Sequence, residues 1–463
     1  MNKKLNDYKN YIIDKKVAVI GLGISNTPLV KYLCNLGVNV SVFDSAEKTK
    51  VSDKIELLKN YNLNYYLGKN YLSNLKSFDV IFKTPIVRPD IPELLAEQQR
   101  GAIITSEMEV FLDLCPAEIF AVTGSDGKTT TTTLLYNILK ESNYKCWLGG
   151  NIGTPLLDKI DKIQESDKVI LELSSFQLHT MKNSPNISIV TNISPNHLDV
   201  HKSMDEYINC KKNIFRYQSK NNLCVLNYDN EITRKFAEES HASVILFSRI
   251  QKLDYGVYIE DDTIVFREKN KTFPIVKTKD ILLPGVHNIE NFLAAISAVF
   301  KYTTPEIIKK VATTFKSVEH RNEFVREFDG VKYFNDSIGS SPTRTIASIN
   351  SFNDKVILIT GGYDKKIPYD SLGITLIKKV KLLILIGQTA PLIENVLMEE
   401  IKKHNNIHIP VYHCKTLDAA VLTAKSQAQK NDTVILSPAS ASFDMFKNFA
   451  DRGNKFKDLV NKL

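Results

Sequence analysis

A glycine-rich loop between a strand pattern and a helix pattern constrains the fold of this 463-residue chain more than any other stretch. Residues 121–130 read A-V-T-G-S-D-G-K-T-T and precede a Thr-rich run, residues 130–140, that predicts a helix. Backbone N–H groups at such a turn point at an anion, Lys128 can reach nucleotide phosphates, and the Thr129 hydroxyl can hold Mg²⁺. The loop is shorter than G-x-x-x-x-G-K-[ST], because Val122 stands where the first glycine would be. We predict a phosphate site; the alternative is an ordinary glycine turn with a solvated lysine.

Residues 16–106 alternate short apolar runs with segments of helical period, which predicts β-α-β units and a parallel sheet. The first run opens into G-L-G-I-S-N at residues 21–26, and Asp44 ends the second run. Glycines there let a phosphate approach the helix, and the carboxylate can bind a ribose hydroxyl. Asn26 replaces the third glycine of the dinucleotide fingerprint. Three interpretations stay open: a nicotinamide dinucleotide, another phosphorylated nucleotide, or a tight turn without a ligand.

Two polar residues stand at the ends of predicted strands downstream of the loop. Glu172 ends the apolar run that begins at Lys168, and His197 follows the strand predicted over residues 187–192. The carboxyl ends of parallel strands meet at one edge of a sheet, so both side chains are candidates for a metal site beside the nucleotide. The alternatives are a hydrogen-bonded strand-end carboxylate and an unpartnered histidine at a helix start.

A helix predicted over residues 204–217 carries the adjacent Lys211 and Lys212, and such pairs usually lie on a solvated surface. Further on, P-G-V-H-N-I-E-N begins a helix that puts Asn288 and Asn291 on one face. We assign no function to residues 222–277. From residue 318 the alternation resumes and predicts a second doubly wound unit. Its strands are predicted at residues 331–335, 356–360, 382–386 and 433–436.

Composition excludes several classes of protein. The net charge of +8 is spread along the chain, which suits anionic small substrates and is too diffuse for nucleic acid. Six cysteines without a C-x-x-C pair indicate neither a disulfide framework nor a zinc site. No run approaches the apolar length of a membrane helix, and residues 1–14 lack the apolar core of a signal peptide. We expect a cytoplasmic monomer with no membrane span and no nucleic-acid partner.

The succession of motifs resembles the Mur ligase family, ATP-dependent amide-forming enzymes of peptidoglycan synthesis with folylpolyglutamate synthases as relatives. These motifs are T-G-S-D-G-K-T-T, G-G-N-I-G, L-E-L-S-S-F-Q-L, T-N-I-S-P-N-H-L-D, P-G-x-H-N-x-x-N, H-R-N-E-F and N-D-S. The resemblance covers almost the whole chain. It implies an α/β fold of three domains: a Rossmann-like domain at residues 1–106 that binds the UDP substrate, a P-loop-type ATPase domain with a mainly parallel sheet at 107–317, and a Rossmann-like domain at 318–463 that binds the amino acid.

Within the family, the N-terminal G-L-G-I-S-N-T-P-L and the C-terminal S-P-A-S-A-S-F-D-M-F-K-N-F-A-D-R-G-N-K-F are similar to the member that adds D-glutamate. The D-N-P-R tetrapeptide of the diaminopimelate- or lysine-adding member is absent from the sequence. The implied substrates are therefore UDP-N-acetylmuramoyl-L-alanine, D-glutamate and ATP, with Mg²⁺ as cofactor.

The resemblance also implies a role for each matching residue. The uridine diphosphate would contact Ile24, Ser25, Asp44, Ser45 and Thr84. ATP would contact Gly124, Ser125, Asp126, Gly127, Lys128, Thr129, Thr130, Asn151, Asn288, Asn291, Arg321 and Asp336. Mg²⁺ would be held by Thr129, Glu172, His197 and a carbamylated Lys211, and the amino acid by Lys365, Ser442 and Phe449. The catalytic set would be Lys128, Glu172, His197 and Lys211.

Two residues depart from the family pattern. Ile338 stands where a lysine commonly follows N-D-S, so we hypothesise that Lys365, Lys366 or Arg344 supplies the missing cation. Asp126 replaces the more usual asparagine of the phosphate loop, so its side chain must turn away from ATP or contact water or metal.

Three alternatives remain beside the D-glutamate ligase. One is another member of the family, acting on a different amino acid or on folate. A second is a nucleotide-sugar-binding regulator without turnover, which the intact set of Lys128, Glu172, His197 and Lys211 disfavours. The weakest is a dehydrogenase, because it would leave the ATP motifs unused.

Overall fold

The computed structural model describes residues 2–195, 200–283, 285–315, 318–364, 367–404 and 407–463. Three mainly parallel β-sheets carry this part of the chain, and the predicted α/β fold class with three such domains is confirmed. By their internal contacts the residues form two compact units, Met1–Asp280 with Ile289–Thr313 and Ile281–Asn288 with Thr314–Leu463. The domain limits at 106/107 and 317/318 stay a prediction.

The first sheet is parallel throughout, in the strand order β3-β2-β1-β4-β5. Its strands are β1 (Lys16–Ile20), β2 (Asn39–Asp44), β3 (Asn64–Leu67), β4 (Val80–Lys83) and β5 (Ile103–Thr105), and its helices are α1 (Lys3–Ile13), α2 (Asn26–Asn35), α3 (Ser52–Leu57), α4 (Pro92–Gln99) and α5 (Glu107–Leu114). Alternate side chains of β1 enter two different apolar clusters, so both faces of the sheet are covered. The strand order reverses between β1 and β4, where open α/β sheets bind their ligands.

The second sheet has nine strands in the order β14-β13-β12-β11-β10-β9-β6-β8-β7. These are β6 (Glu118–Thr123), β7 (Cys146–Gly150), β8 (Lys168–Glu172), β9 (Ile187–Val190), β10 (Leu223–Asn227), β11 (Ser243–Ser248), β12 (Gly256–Glu260), β13 (Thr263–Glu268) and β14 (Lys271–Lys277). Strands β6 to β12 are parallel, and β12, β13 and β14 form an antiparallel meander at the edge. The stretch 222–277, to which the sequence assigns no function, therefore widens this sheet.

Helices alternate with these strands. They are α6 (Lys128–Glu141), α7 (Ser175–Leu178), α8 (Met204–Lys212), α9 (Glu231–Glu239), α10 (Val286–Val299) and α11 (Pro305–Thr314). The prediction of one helix over residues 204–217 is wrong at its C-terminal end. After Lys212 the amides of residues 213–215 bond to carbonyls three residues back, and the Asn213 side chain donates to Leu178 O. These bonds tighten the chain and end α8.

The third sheet, in the second unit, has the order β15-β16-β20-β17-β18-β19 and is parallel except for the pair β15 and β16. Its strands are β15 (Glu323–Phe328), β16 (Val331–Asn335), β17 (Val356–Thr360), β18 (Val380–Leu385), β19 (Val411–His413) and β20 (Thr433–Leu436), and its helices are α12 (Pro342–Asn350), α13 (Gly373–Lys379), α14 (Ala390–Lys403), α15 (Leu417–Gln427) and α16 (Phe449–Asn461). All four strands predicted from the sequence are present, with β18 shifted by one or two residues.

A single apolar cluster joins the two sheets of the first unit. It contains Val17 of β1 and Leu29 of α2 from the first sheet's part of the chain. It also contains Ala121 of β6, Leu171 of β8 and Leu157, which precedes β8. Within the described residues, no helix has the length and apolar character that crossing a membrane requires.

Candidate active site

The predicted phosphate loop joins the end of β6 to the start of α6. Its glycines have φ values of +150° at Gly124 and +78° at Gly127, a region that side-chain-bearing residues rarely adopt. A Cβ on Gly124 would collide with the Thr191 hydroxyl, and one on Gly127 with the Asn291 carboxamide. The glycines therefore let two polar side chains from other elements come close to the loop backbone.

The Glu172 carboxylate, at the end of β8, is bonded to this loop through one oxygen and to a neighbouring turn through the other. Thr129 Oγ1 donates to Glu172 Oε2 at 2.7 Å, and Asn151 Nδ2 donates to Oε1 at 2.7 Å. Glu172 is buried, and its carbonyl also accepts from the Asn151 amide at 2.7 Å. Three residues predicted from separate motifs thus converge, because β6, β7 and β8 end side by side.

The donor set beside the loop fits Mg²⁺. A hydroxyl and a carboxylate are the hard oxygen ligands that this ion takes from proteins, with water and phosphate oxygens completing its shell. His197, the third predicted ligand, lies outside the described residues. Among the residues that the structure does describe, there is no group of three or more His, Cys, Asp or Glu placed to share a metal.

Lys211 is buried beneath the loop. Its Nζ donates to Gly124 O at 2.7 Å and to Thr123 Oγ1 at 3.3 Å, and lies 4.8 Å from the centre of the Tyr207 ring. Burial, together with the nearby Lys128 cation, holds the pKa of the Lys211 amine well below its ordinary value. The general expectation of a solvated surface is wrong for this lysine. Its neighbour Lys212 instead pairs with Glu239 at 2.6 Å.

Lys128 bends back over its own loop, where Nζ donates to Gly124 O and Ser125 O at 3.0 Å each. Ser125 Oγ lies 2.9 Å from the Tyr207 hydroxyl and accepts from the Ser194 amide at 2.9 Å. The loop is therefore attached to α8 and to the segment after β9.

The Asp126 side chain is exposed to solvent. Its amide donates to Asn192 Oδ1 at 3.0 Å and its carbonyl accepts from Thr191 Oγ1 at 2.5 Å. Thr130 is buried in the first turn of α6. Sequence reasoning assigned no role to Thr191 or Asn192, although both directly follow β9 and so obey the strand-end rule that located Glu172.

Asn291 reaches the phosphate loop from α10. Its Oδ1 accepts from Thr131 Oγ1 at 3.3 Å, and its carboxamide lies against Gly127. Asn288 is one turn earlier on the same helix and is also buried, as the predicted common face requires.

The predicted uridine diphosphate residues lie at the strand ends of the first sheet. Asp44 accepts from the Leu22 amide at 2.7 Å and from the Ala46 amide at 2.8 Å. Thr84 follows β4 and its side chain packs against Gly21, so the turn after β1 and the end of β4 meet at the topological switch point. Ser25 is half-buried, whereas Ile24 and Ser45 are exposed.

Asn26, the residue that departs from the dinucleotide fingerprint, is buried at the start of α2. Its Nδ2 donates to Ile20 O at 2.9 Å. In the dinucleotide fingerprint a glycine at this position lets the helix pack closely against the strand. Here the Asn26 side chain instead bonds to the last residue of β1.

In the second unit, Asp336 directly follows β16 and is buried. Its Oδ2 accepts from Ser437 Oγ at 2.7 Å, and Oδ1 accepts from the Asn322 amide at 3.4 Å. Burial raises the pKa of Asp336 to about 6 despite these bonds. Arg321 lies in the turn before β15 and is half-buried, with its amide donating to Val318 O at 3.0 Å.

Arg452 is a fully buried residue to which sequence reasoning assigned no role. Its guanidinium donates to Ser337 O at 2.8 Å, to Ser337 Oγ at 3.0 Å, and to the carbonyls of Ser440 and Ala441 at 3.1–3.2 Å. It therefore joins the N-D-S turn to the S-P-A-S-A-S turn. Ser442 is buried at the end of the latter, and Phe449 lies half-exposed at the start of α16.

Of the three cations considered as replacements at Ile338, the structure describes one. Arg344 lies on α12, is exposed, and donates from NH1 to Ile338 O at 3.4 Å. Lys365 and Lys366 lie outside the described residues.

Comparison with known sequences identifies the family. Family models match in succession: the Mur ligase MurD-like N-terminal domain at residues 15–106, the Mur ligase middle domain at 122–299, and the Mur ligase glutamate ligase domain at 320–440. A UDP-N-acetylmuramoylalanine--D-glutamate ligase from Acetivibrio thermocellus is 60% identical, with 100% of both chains covered. The chain belongs to the Mur ligase family. Relatives of the same name from Ruminiclostridium cellulolyticum and Clostridium novyi are 54% and 51% identical, again with 100% of both chains covered.

Solved structures share the fold. A UDP-N-acetylmuramate-alanine ligase from Thermotoga maritima aligns with a TM-score of 0.58 at 18% identity, covering 97% of this chain and 99% of that one. A pseudomurein peptide ligase type C from Methanothermus fervidus aligns with a TM-score of 0.56 at 18% identity, covering 97% and 100%. At this identity the likeness concerns the fold alone.

In this Mur ligase the structure brings part of the predicted site together within the first unit, namely the phosphate loop, Asn151, Glu172, Lys211 and Asn291. The roles assigned to these residues stay predictions. The signal for Tyr207, Thr191 and Asn192 was available in the sequence, since each directly follows a strand or lies one helical turn from a site residue. Arg452 lies within the C-terminal motif quoted from the sequence, but that motif does not show that its guanidinium binds backbone carbonyls and the Ser337 hydroxyl.

The buried Asp336 carboxylate leads to a prediction about stability and pH. A carboxyl group whose folded pKa lies above its unfolded value destabilises the fold where it is ionised, and this cost appears as the pH rises from about 4 to about 6. Removing the charge in Asp336→Asn should therefore raise stability relative to wild type by up to about 3 kcal/mol at neutral pH, less the hydrogen bonds lost. Urea unfolding of both proteins at about pH 4.5 and about pH 7.5 measures the difference.

The matched control is Asp354→Asn, which removes an exposed carboxylate and should show no such pH dependence. An Asp336→Asn protein that is less stable than wild type by the same amount at both pH values would contradict the prediction.

Proposed function

We propose that the chain is an ATP-dependent ligase that adds D-glutamate to UDP-N-acetylmuramoyl-L-alanine through an acyl phosphate, a step of peptidoglycan synthesis. The observation that carries this proposal is the end-to-end match, at 60% identity, to a ligase named for that reaction. The phosphate-loop site supports it independently, because its residues suit phosphoryl transfer. A reaction that consumes ATP also supports action in the cytoplasm.

The loop residues bind and orient ATP in this proposal. Amides at the start of α6 and the Lys128 ammonium offer positive charge to the β- and γ-phosphates. Asn151 and Asn291 contribute neutral polar contacts from two further elements. For Asn288, Arg321 and Asp336 of the second unit, a contact with ATP stays a prediction from the family resemblance.

Thr129 and Glu172 are the residues that would hold Mg²⁺, and His197 is proposed to join them. When bound, the ion would supply positive charge that neutralises the phosphates. Asn151 holds one oxygen of the Glu172 carboxylate at 2.7 Å, which fixes the plane of the carboxylate and directs its other oxygen towards Thr129.

Two substitutions at carbonyl and phosphorus make up the reaction. The alanine carboxylate of the substrate attacks the γ-phosphorus of ATP, so that ADP leaves and an acyl phosphate forms. The amine of D-glutamate then attacks the acyl carbon, loses a proton, and phosphate leaves with the bonding electrons. Lys128 stabilises the negative charge that develops on the phosphoryl oxygens in the first step.

Lys211 is proposed to act as a carbamate, formed when its neutral amine adds to carbon dioxide and loses a proton. Its lowered pKa supports this, because only the unprotonated amine is a nucleophile. The addition turns a neutral amine beside Lys128 into an anion. An anion at this position attracts Mg²⁺ and Lys128, whereas an ammonium repels both.

Carbamylation can be tested directly. In protein equilibrated with carbon-13-labelled bicarbonate, wild type should show a carbamate resonance by NMR, and Lys211→Arg should lack it and lose at least about 100-fold in kcat. Lys212→Arg, which changes the adjacent helical lysine, should keep both the resonance and the activity. A fully active wild-type protein without a labelled carbamate would rule the modification out.

The second unit is proposed to hold D-glutamate through Lys365, Ser442 and Phe449. Arg452 supports this set indirectly, because it fixes the carbonyls of Ser440 and Ala441 immediately before Ser442. Since Ile338 removes a cation from this neighbourhood, another cation has to face the acidic amino acid. Arg344, hydrogen-bonded to Ile338 O, is a candidate.

Arg344→Ala should raise the KM for D-glutamate about tenfold, the size of one charge-assisted contact, and leave the KM for ATP unchanged. Lys402→Ala, which removes an exposed cation from α14, is the control. Unchanged D-glutamate KM values in both Arg344→Ala and Lys366→Ala would leave Lys365 as the remaining candidate.

The function itself is tested with purified protein, ATP, Mg²⁺ and UDP-N-acetylmuramoyl-L-alanine. Each of D-glutamate, L-lysine, meso-diaminopimelate and L-alanine is added in turn, and phosphate release and product mass are followed. Release should require D-glutamate, and the product should gain one glutamyl residue. Turnover with another amino acid would point to a different Mur ligase reaction, and no turnover with any would favour a binding protein.

A further inference from the structure

Arg88 and Glu206 form an ion pair that none of the predicted site residues accounts for. Arg88 lies in the segment that follows β4, four residues after Thr84, and Glu206 lies in the first turn of α8, five residues before Lys211. The guanidinium meets the carboxylate side by side, with NH2 to Oε1 at 2.6 Å and NH1 to Oε2 at 3.2 Å. The pair therefore joins the chain around the proposed nucleotide-sugar site to the helix of the proposed ATP site.

All five N–H groups of Arg88 have acceptors. Besides Glu206, the Asp90 carboxylate accepts from Nε at 2.8 Å and from NH2 at 3.0 Å, and Val200 O accepts from NH1 at 2.8 Å. Two carboxylates each receive a two-pronged contact, which a planar guanidinium provides and a lysine does not. Such a saturated arginine fixes the orientation of every group that it touches.

Glu206 is surrounded by positive and neutral donors. Its Oε2 accepts from the Lys202 amide at 2.6 Å, and the rings of His179 and His201 lie 3.7 Å from its two oxygens. The hydrogen bonds from Arg88 lower the pKa of Glu206 to about 2. Lys202 Nζ also bonds to Asp90 at 2.5 Å, which closes a ring of charges between the two segments.

The segment on the Arg88 side is stiff. Residues 84–92 contain Pro85, Pro89 and Pro92, whose rings fix φ and remove backbone freedom. The Val87 amide donates to Thr84 O at 3.2 Å, which closes a turn at the start of the segment. Contacts that fix the position of Arg88 therefore also restrict the position of Thr84.

The segment on the Glu206 side leads to the phosphate loop. Tyr207, the next residue, bonds through its hydroxyl to Ser125 Oγ at 2.9 Å and lies under the Lys211 amine. Val200, whose carbonyl Arg88 binds, comes three residues after His197 in the sequence. One side chain thus reaches two segments that carry proposed metal ligands.

We infer that Arg88 is a positioning residue, which acts through Glu206 and Val200 to set the end of β4, with the substrate bound there, at a fixed distance from the phosphate loop. This inference rests on the proposed function for the identity of the substrate. A reacting carboxylate must approach the γ-phosphorus to within a few tenths of an ångström of the productive geometry, and an error of about 1 Å can cost about 100-fold in rate. Arg88 touches neither reacting group, so its effect is on alignment.

The test compares Arg88→Met, Arg88→Lys, Glu206→Gln and the Arg88→Met/Glu206→Gln double variant. Arg88→Met should lower kcat/KM for UDP-N-acetylmuramoyl-L-alanine about 30- to 100-fold. Arg88→Lys should rescue only a small part of the loss, because it keeps the charge and loses the fork. The double variant should be no more than about threefold worse than Arg88→Met, since both substitutions break one contact.

The matched control is Lys9→Met. Lys9 on α1 pairs with Asp161 at 2.5 Å, so this variant breaks another ion pair between the chain of the first sheet and that of the second. It should leave all three Michaelis constants and kcat within about twofold of wild type. The KM for D-glutamate and the affinity for ATP alone should also be unchanged in Arg88→Met, whereas general misfolding would weaken every one of them.

Hydrogen exchange provides a readout that does not need activity. Amides of residues 84–91, apart from Pro85 and Pro89, and of residues 200–206 should exchange faster in Arg88→Met than in wild type and at the wild-type rate in Lys9→Met. The inference is overturned if Arg88→Met keeps kcat/KM within threefold of wild type, if its exchange is unchanged, or if the effects of the two single substitutions multiply. Absence of D-glutamate-dependent turnover in wild type would overturn the proposed function, and the exchange comparison would still decide whether Arg88 fixes the segment.

Discussion

The parallel alignment of β6, β7, β8 and β9 is the constraint on which the rest of the first unit's site depends. Because neighbouring parallel strands end at the same edge, the loop after β6, Asn151 after β7, Glu172 on β8 and Thr191 after β9 meet without any long connection. Their side chains then bond to one another at 2.7 Å, or to the backbone of the loop at 2.5 Å, and Thr191 lies against Gly124. A sheet with antiparallel pairs here would send half of these groups to the opposite edge.

Ionisable side chains at this edge are buried. Their burial suits catalysis but lowers the stability of the fold. Glu172 and Lys211 are both buried, and the Lys211 amine stands close to a second cation, Lys128. Burial and the Lys128 cation disfavour the ammonium form of Lys211, and the carbamate proposed for Lys211 would replace this repulsion with an attraction. Asp336 of the second unit carries the same kind of cost alone, since burial raises its pKa to about 6. Sites for phosphoryl transfer hold such groups because a preorganised charge acts more strongly away from water.

The sequence predicts features that depend on residues close together in the chain better than features that depend on contacts between distant segments. Strand–helix alternation predicted the first and third sheets, and the strand-end rule predicted that Glu172 lies beside the phosphate loop, because both follow from local patterns. The burial of Lys211 was not predictable from its helix, which reads as a lysine pair on a polar surface; only the family resemblance pointed to it. The Asn213 side chain binds Leu178 O where α8 ends, and Arg452 binds carbonyls and a hydroxyl of two other turns; no local pattern in the sequence predicts either contact. The metal role of His197, the monomeric state and the domain limits stay predictions.

The apolar core of the first unit explains why a polar contact such as Arg88–Glu206 can be effective. One cluster runs from Val17 and Leu29 to Leu157 and Leu171, so the two sheets of this unit share a core and their mutual tilt is limited by close packing. Apolar contacts, however, are non-directional, so they do not by themselves select which atoms of the two sheets face each other. A two-pronged ion pair is directional and loses strength when either partner moves by a fraction of an ångström. The apolar core therefore holds the first and second sheets together, and the Arg88–Glu206 contact fixes the position of the segment after β4 relative to α8.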